Sequence, residues 1–377
     1  MEPRTSASSG QAQDRVRMAL DAAPERASSS TRGSAAGGTA AGGPTEVEQA
    51  ARGPAEEEME VEEQSRPVVV RAPHLPSAQE KEEHELTGHV CYRNWCPICL
   101  ACKGLGQGHK EAPAEDETAV PTTLCDYAFM GQDDNKCLPM LCAKDRKTKR
   151  VAATFVQSKG LDPYAQKYLS EFMGSTGYRR IMNKSDGETS IVALKTEAAM
   201  KVPGLEASPA EIPADDHQAL GEMEVAVREI KSQVRLLKAS LEMRLGKKLH
   251  DDDPVLAWMP RHGADLINRY RVGPDRKTPD QRRTGKRWRR PAIEYGEKIF
   301  FREAGAKTHR NALRPKMQEG RYIGHHGRTG ALLAITPEGV KRGTGLRRLP
   351  AEERWTTDGW EELKGYPWDV QSRRRSD

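Results

Sequence analysis

Two histidines and four cysteines lie within residues 84–104, HELTGHVCYRNWCPICLACKG. Two imidazoles and two thiolates make a tetrahedral ligand set for a structural zinc ion, and the CxxC spacing lets two sulfurs reach the same ion. A bound Zn²⁺ would fold a segment too small to hold itself together, whereas the alternative is a loosely ordered segment with free thiols. The pattern favours as ligands His84, His89, Cys96 and Cys99, with Cys91, Cys102 and His109 as spare candidates.

All seven cysteines fall between residues 91 and 142. The sequence has no secretory signal and no apolar stretch long enough to span a membrane, so we expect an intracellular protein, nuclear or cytoplasmic, with no membrane partner. In a reducing compartment, clustered cysteines are more typical of metal or thiol chemistry than of disulfides.

Three acids downstream could do chemistry together: Asp126 in a predicted strand, Asp186 directly after another strand, and Glu224 in the first turn of a predicted long helix. Converging carboxylates could hold two Mg²⁺ or Mn²⁺ ions ~4 Å apart against a scissile phosphate, because these ions prefer oxygen ligands. Each acid also has a structural explanation. Asp126 could be an edge-strand charge. SDGE could be a capping box with Ser185 as N-cap, so that Asp186, like Glu224 in its own helix, would only favour a helix N-terminus.

Basic residues accompany the third acid along its helix. At ~100° per residue, one helical face carries Glu224 and then four cations. A carboxylate at the head of a basic stripe suits a metal site beside a phosphate backbone, although a solvated charged face is the commoner use of such a stripe. The four cations are Arg228, Lys231, Arg235 and Lys238.

A second basic segment, residues 269–290, holds ten Lys or Arg against two Asp, with Tyr270 and Trp288 interleaved, whereas residues 46–63 hold eight Glu against one Arg. The basic segment predicts binding to DNA phosphates, with an affinity that falls steeply with salt; a solvated basic linker is the alternative. The residues expected to contact DNA here are Arg282, Arg283, Lys286, Arg287, Arg289 and Arg290.

Composition indicates several small domains and unfolded sequence around these sites, because only 36% of the 377 residues are hydrophobic and 31% are charged. Residues 1–80, rich in Ala, Gly, Ser, Pro and Glu, are predicted to be a disordered, acidic low-complexity tail. The tail would act as a solvated linker or, alternatively, as an acidic interaction segment.

The chain from residue 122 predicts a mixed α/β sheet. Three short antiparallel strands, TTLCDYAFM, KCLPMLCAK and RVAATFVQ, are followed by alternating helix and strand. After a Pro-rich loop comes a long helix, and then a helix interrupted by Pro260. Short strands with glycine turns from EYGEKIFFR onwards predict a small β barrel. The apolar face of the long helix consists of Met223, Val227, Ile230, Val234, Leu237 and Leu241.

The order of these features resembles a copia-type retrotransposon integrase over roughly residues 80–350. The matching segments are HELTGHVCYRNWCPIC, LCDYAF, NKSDGE, LGEMEVAVREIKSQVRLLK, LINRYRVGPDRKTP and RRPAIEYGEKIFF. The resemblance implies an α/β core of RNase H-like fold, an N-terminal zinc module and an SH3-like C-terminal β barrel. The implied divisions are a tail (1–80), a zinc-binding module (81–115), a catalytic core (118–250), a helical and basic linker (251–290), a β domain (291–350) and a second tail (351–377).

The resemblance also implies chemistry. Asp126 would bridge two Mg²⁺ or Mn²⁺ ions, with Asp186 and Glu224 each completing one coordination shell, and a homo-oligomer would process DNA ends and join them to target DNA as a polynucleotidyl transferase. Two features depart from the family pattern: Leu220-Gly221 replaces the usual Asn-Gly, and the interval from His89 to Cys96 is short. One alternative is a catalytically inactive, element-derived DNA-binding protein. Another is a ribonuclease of the same fold, although the zinc module and the β domain both argue against a ribonuclease.

Overall fold

The structure, a computed structural model, describes residues 73–103, 120–131, 137–211, 217–305 and 315–370. The predicted tail at residues 1–80 lies almost wholly outside these ranges, as do His109 and the side chain of Leu220. None of the described helices is long and apolar enough to cross a membrane.

Five strands form the central sheet: β1 (Thr122–Ala128), β2 (Met140–Asp145), β3 (Val151–Phe155), β4 (Arg180–Ser185) and β5 (Glu206–Glu211). Their order is β3-β2-β1-β4-β5. β2 is antiparallel to both of its neighbours, β1 and β3, whereas β4 is parallel to β1 and β5 is parallel to β4. The predicted mixed sheet and its antiparallel meander are confirmed. The prediction of a loop before the long helix is wrong where β5 lies, because an edge strand tolerates the proline that its sequence contains.

The described helices are α1 (Ala78–Leu86), α2 (Pro97–Lys103), α3 (Pro163–Thr176), α4 (Thr189–Met200), α5 (His217–Leu245), α6 (Met259–Tyr270) and α7 (Pro279–Thr284). Asp162 caps α3, because its Oδ1 accepts the Tyr164 amide at 2.7 Å, and the helix ends at Gly177 in the left-handed conformation, φ 78°. The predicted helical stretch is divided next to Pro260, because a 3₁₀ turn, Leu256–Trp258, is followed by α6 from Met259. Pro260 lies in the first turn of α6, where its missing N–H leaves no helical bond unmade.

Two predicted helix starts differ from the structure. Ser185 is the buried end of β4, its hydroxyl donating to the Asp186 carbonyl at 2.8 Å, and α4 begins only at Thr189 without a side-chain cap bond. The capping-box explanation of Asp186 is therefore wrong. Because α5 begins at His217, Glu224 lies about two turns into the helix rather than in its first turn.

Alternation along β1 assigns its side chains to the two faces of the sheet. Leu124 and Ala128 pack with residues of α5 and α6, whereas Cys125 and Tyr127 pack with residues of α3 and α4. By the same period of two, Asp126 belongs to the face that α5 covers. The predicted apolar face of α5 is confirmed, since five of its six members are buried and the sixth packs against the same core.

Four C-terminal strands, β6 (Lys298–Glu303), β7 (Gln318–His325), β8 (Leu332–Thr336) and β9 (Gly339–Arg348), close into a barrel, as the sequence predicts. Phe301, Tyr322 and Ala334 are among its core residues. The barrel packs against α5 and the start of α6 through a shared apolar cluster that includes Leu241, Trp258 and Leu333.

Candidate functional site

The four predicted zinc ligands converge on one point. His84 Nε2 lies 2.9 Å from His89 Nδ1 and 3.3 Å from Cys99 Sγ, and Cys96 Sγ lies 3.5 Å from His89 Nδ1. All four ligand atoms lie within 4.8 Å of one another. With Zn–N bonds of ~2.0–2.1 Å and Zn–S bonds of ~2.3 Å, the edges of a zinc tetrahedron are ~3.3–3.8 Å, so the donor set fits Zn²⁺. Of the spare candidates, Cys91 is exposed and Cys102 partly buried.

Burial prepares both imidazoles to act as neutral ligands. It lowers the pKa of His84 to about 4 and of His89 to about 3, with nearby cations and, for His89, the other ring adding to the effect. Burial raises the pKa of Cys99 to about 11, so a thiolate there requires a bound cation. The second nitrogen of His89 lies 3.4 Å from the Ser240 hydroxyl on α5, the kind of outer contact that fixes a ligand's orientation.

The zinc module packs on α5 and α6. Gly88 adopts a φ of 63°, and a Cβ added there would lie 2.3 Å from Leu266 Cδ1 on α6. Its carbonyl accepts a hydrogen bond from the buried Gln233 amide on α5. Arg244, also on α5, bonds to Glu85 of the module at 2.6 Å. The ligand turn is thus built directly against the helix that carries Glu224.

Two of the three predicted catalytic acids lie in or directly after neighbouring strands. β1 and β4 are parallel, with Leu124 opposite Lys184; Asp126 lies two residues further along β1, and Asp186 directly follows the end of β4. Asp186 Oδ1 accepts the Glu188 amide at 3.4 Å, and Asp126 Oδ1 accepts the Tyr127 amide at 2.7 Å. The adjacent strand ends therefore concentrate two carboxylates at one edge of the sheet.

Electrostatics at this edge disfavour two free negative charges. Burial and then the Asp186 charge raise the pKa of Asp126 to about 6, against the lowering effect of the Tyr127 amide and of Lys159. A divalent cation between the carboxylates would remove this repulsion, so the pair suits Mg²⁺ or Mn²⁺.

Glu224 does not join the aspartates. Its side chain is exposed on α5, whereas Met223 beside it is buried against β1. In the described parts of the chain, the His/Cys set is the only group of three or more His, Cys, Asp or Glu whose ligand atoms are close enough to share an ion. The site of three carboxylates therefore remains a prediction.

Sequence reasoning missed a lysine at this edge. Lys159, in the loop after β3, bonds to Glu188 at 2.8 Å, and its ammonium lies 5.6 Å from the ring centre of Tyr127 and 5.3 Å from that of Phe129. Nothing in the sequence marks it, because only the folded sheet brings this loop to the end of β1.

The predicted basic stripe on α5 is partly engaged within the protein. Arg228 and Arg235 are exposed, whereas Lys231 and Lys238 are partly buried. Lys238 donates to Asp251 at 3.0 Å. The exposed pair is therefore better placed than the lysines to meet a phosphate backbone.

The basic segment, like the stripe on α5, contains some cations that bond within the protein and others that are exposed. Arg282 makes a two-pronged bond to Asp275, at 2.9 and 2.6 Å, and Trp288 lies between the guanidinium groups of Arg269 and Arg290, 4.0 and 5.6 Å from its ring centre. Arg283 is exposed, although it donates to a backbone carbonyl at 3.2 Å. Three cations are exposed and make no ion pair with any described residue: Lys286, Arg287 and Arg289.

Comparisons with known proteins give only distant matches. No family model and no curated protein matches the chain. One similar solved structure is an intasome of simian T-cell lymphotropic virus in complex with the PP2A regulatory subunit B56 gamma, at 13% identity and a TM-score of 0.34, covering 67% of this chain and 87% of that one. Another is the catalytic core domain of HTLV-2 integrase with magnesium in trimeric form, at 13% identity and a TM-score of 0.29, covering 44% of this chain and 97% of that one. At this level of similarity, function has to be argued from the residues of this chain.

Proposed function

We propose that this protein is a DNA integrase, similar to the copia-type enzymes, that processes DNA ends and joins them to target DNA. The proposal is supported by the position of Asp126 on β1 and of Asp186 directly after the parallel neighbour β4, close enough that the Asp186 charge, after burial, helps to raise the pKa of Asp126. Loss of the capping-box explanation for Asp186 supports it, because Ser185 does not cap α4 and, among the described residues, the contact of the Asp186 carboxylate with the helix start is a single long bond from the Glu188 amide.

Three further features support the proposal. The strand order β3-β2-β1-β4-β5, with only β2 running against the others, agrees with the RNase H-like core that the sequence resemblance implies. The His/Cys cluster agrees with its zinc module, and the closed barrel agrees with its C-terminal β domain. The same resemblance makes the working form a homo-oligomer.

The residues of the chain have distinct roles in the reaction. Asp126 and Asp186, with Glu224, would hold two Mg²⁺ or Mn²⁺ ions, which supply Lewis-acid activation of the nucleophile and neutralise the leaving oxygen. Exposed cations on α5 and in the basic segment would hold the phosphate backbone in line. A water oxygen would first attack a phosphorus near the DNA end, releasing a new 3′-hydroxyl. That hydroxyl would then attack a target phosphodiester, forming one P–O bond as another breaks.

Glu224 has to move for this chemistry. Its carboxylate is exposed on α5, so binding of metal and DNA would have to draw it toward the aspartates. The same observation favours a second candidate, a non-catalytic DNA-binding protein that keeps the zinc module and the barrel. The Leu220-Gly221 departure lies one turn before Glu224 and would be part of that loss.

The deciding experiment incubates the purified chain with labelled DNA ends and Mg²⁺ or Mn²⁺. We expect end cleavage and joined products from the wild type, and neither from Asp186→Asn, because the amide keeps the shape of the side chain but lacks the charge that a divalent cation requires. Glu352→Gln, at an exposed acid that follows the barrel, is the control and should retain activity. If the wild type and Leu220→Asn both bind DNA but join none, the non-catalytic candidate stands.

A further inference from the structure

A cavity of about 600 Å³ opens between α3, α6, the barrel and residues 367–370, on the side of α3 that the catalytic proposal does not use. This volume is in the range of ~300–1,000 Å³ that is typical of small-molecule sites. Aromatic rings form much of its wall: Tyr164, Tyr168, Trp258 and Trp368.

Hydrogen bonds outside the cavity fix three of these rings. The Tyr164 hydroxyl lies 2.8 Å from Thr154 Oγ1, and the Tyr168 hydroxyl donates to the Ala153 carbonyl at 2.9 Å. The Trp258 indole donates to a backbone carbonyl at 3.0 Å. The rings therefore present their apolar surfaces to the cavity in a preformed arrangement.

Cations complete the wall. Lys167, Arg261 and Arg342 line the cavity, and Arg328 lines an adjoining cavity of about 270 Å³ that shares Arg261. The Arg261 guanidinium lies 5.5 Å from the Tyr168 ring centre. Two acids are also present, since Glu171 lines both cavities and Asp265 lines the second. Against the lowering effect of burial, the two tyrosines and both acids raise the pKa of Arg261, although none of the four cations makes an ion pair with a carboxylate in the described ranges.

The pKa of His326 reflects the positive charge around the cavity. It is buried in the cavity wall, and its pKa is lowered to about 4, first by burial and then by the charges of all four cations. Three cations line this cavity against one acid, and this excess of positive charge suits an anion.

We propose that this cavity binds a nucleotide unit. Arg261, Arg342 and Lys167 hold its phosphate, since guanidinium groups match phosphate oxygens in two-pronged bonds. The base lies against the aromatic rings, whose stacking is tolerant of base identity. The unit comes either as a free mononucleotide or as part of a single-stranded nucleic acid. The inference is independent of the catalytic centre and stands if integrase activity is absent.

The test is calorimetric titration of the full chain with adenosine 5′-monophosphate. Lys167→Gln, at an exposed position, and Arg342→Gln, at a partly buried one, should each weaken binding roughly tenfold, because each removes one charge-assisted contact. Arg347→Gln is the matched control, since Arg347 is an exposed arginine of β9 outside the cavity, and it should leave the affinity unchanged. Adenosine and inorganic phosphate should each bind at least about tenfold more weakly than the nucleotide, because each keeps one half of the contacts.

A short oligothymidylate distinguishes the two sources. If a single strand is the natural ligand, the oligomer competes with the mononucleotide and loses affinity in the same two variants. If the ligand is a free nucleotide, the mononucleotide binds without competition. The proposal is overturned if neither ligand separates Lys167→Gln and Arg342→Gln from Arg347→Gln.

Discussion

Asp126→Asn should stabilise the protein at pH 7 when no Mg²⁺ is added. The pKa of Asp126 is raised from 3.8 to about 6, chiefly by burial and then by Asp186. A carboxyl whose pKa is higher in the folded than in the unfolded state lowers the free energy of unfolding once the pH forces it to ionise. This loss of stability is absent below pH 3.8, grows between pH 3.8 and about pH 6, and is complete above that pH. A shift of about two units at ~1.36 kcal/mol per unit gives an upper bound of about 3 kcal/mol.

The assay is denaturant unfolding at pH 7 and at pH 3.5 to 4. Asn can still accept the Tyr127 amide bond, so the substitution removes the charge and keeps that contact. We expect a gain in unfolding free energy of about 1–3 kcal/mol at pH 7 and almost none at the acid pH. Added Mg²⁺ should stabilise the wild type more than the variant. Asp275→Asn is a control of opposite sign, because the bond from Arg282 lowers the pKa of Asp275 to about 2 and its loss should destabilise at pH 7. An Asp126→Asn gain that is equal at both pH values, or a loss at pH 7, would refute the reasoning.

Three other outcomes follow from the structure. Metal analysis should find one zinc ion per wild-type chain and none in Cys99→Ser, and chelation should unfold residues 84–99 while the α/β core keeps its circular dichroism; bound zinc in the variant would contradict the ligand set. Gly88→Ala should cost about 2–4 kcal/mol in denaturant unfolding, and Gly177→Ala only about 1 kcal/mol, because both have positive φ but only Gly88 faces a neighbour within 4 Å; equal losses would contradict the docking of the module on α6. Neutralising the exposed cations Lys286, Arg287 and Arg289 should weaken DNA binding about equally for all sequences and reduce its salt dependence. An unchanged dependence of affinity on salt would show that these residues do not contact DNA.

Local patterns predicted most of the regular elements. The strands of the meander, the apolar face of α5 and the barrel strands all have periodicities that reflect which side chains are buried. β5 was not predicted, because an edge strand that contains proline has no such period. The start of α4 was misplaced, because SDGE fits a capping box whereas Ser185 is the buried end of a strand.

Whether a site could be predicted depended on how far apart its residues lie in the sequence. The His84 to Cys99 cluster was predictable, because its ligands lie within one short segment whose spacing is readable. The expectation that Asp126 and Asp186 converge came from the resemblance, because their spacing in the sequence does not reveal that β1 and β4 are parallel neighbours. The nucleotide cavity had no signal, because α3, α6 and the barrel contribute to it from distant parts of the chain.

The most direct test of the metal-ion account is a crystal structure of the protein with a DNA end and Mn²⁺, located by anomalous scattering. The account predicts two ions ~4 Å apart, both contacted by a bridging Asp126, with Asp186 and Glu224 each ligating one of them. Absence of bound Mn²⁺ at the aspartates, or a Glu224 carboxylate that stays more than roughly 10 Å from them with DNA bound, would contradict it.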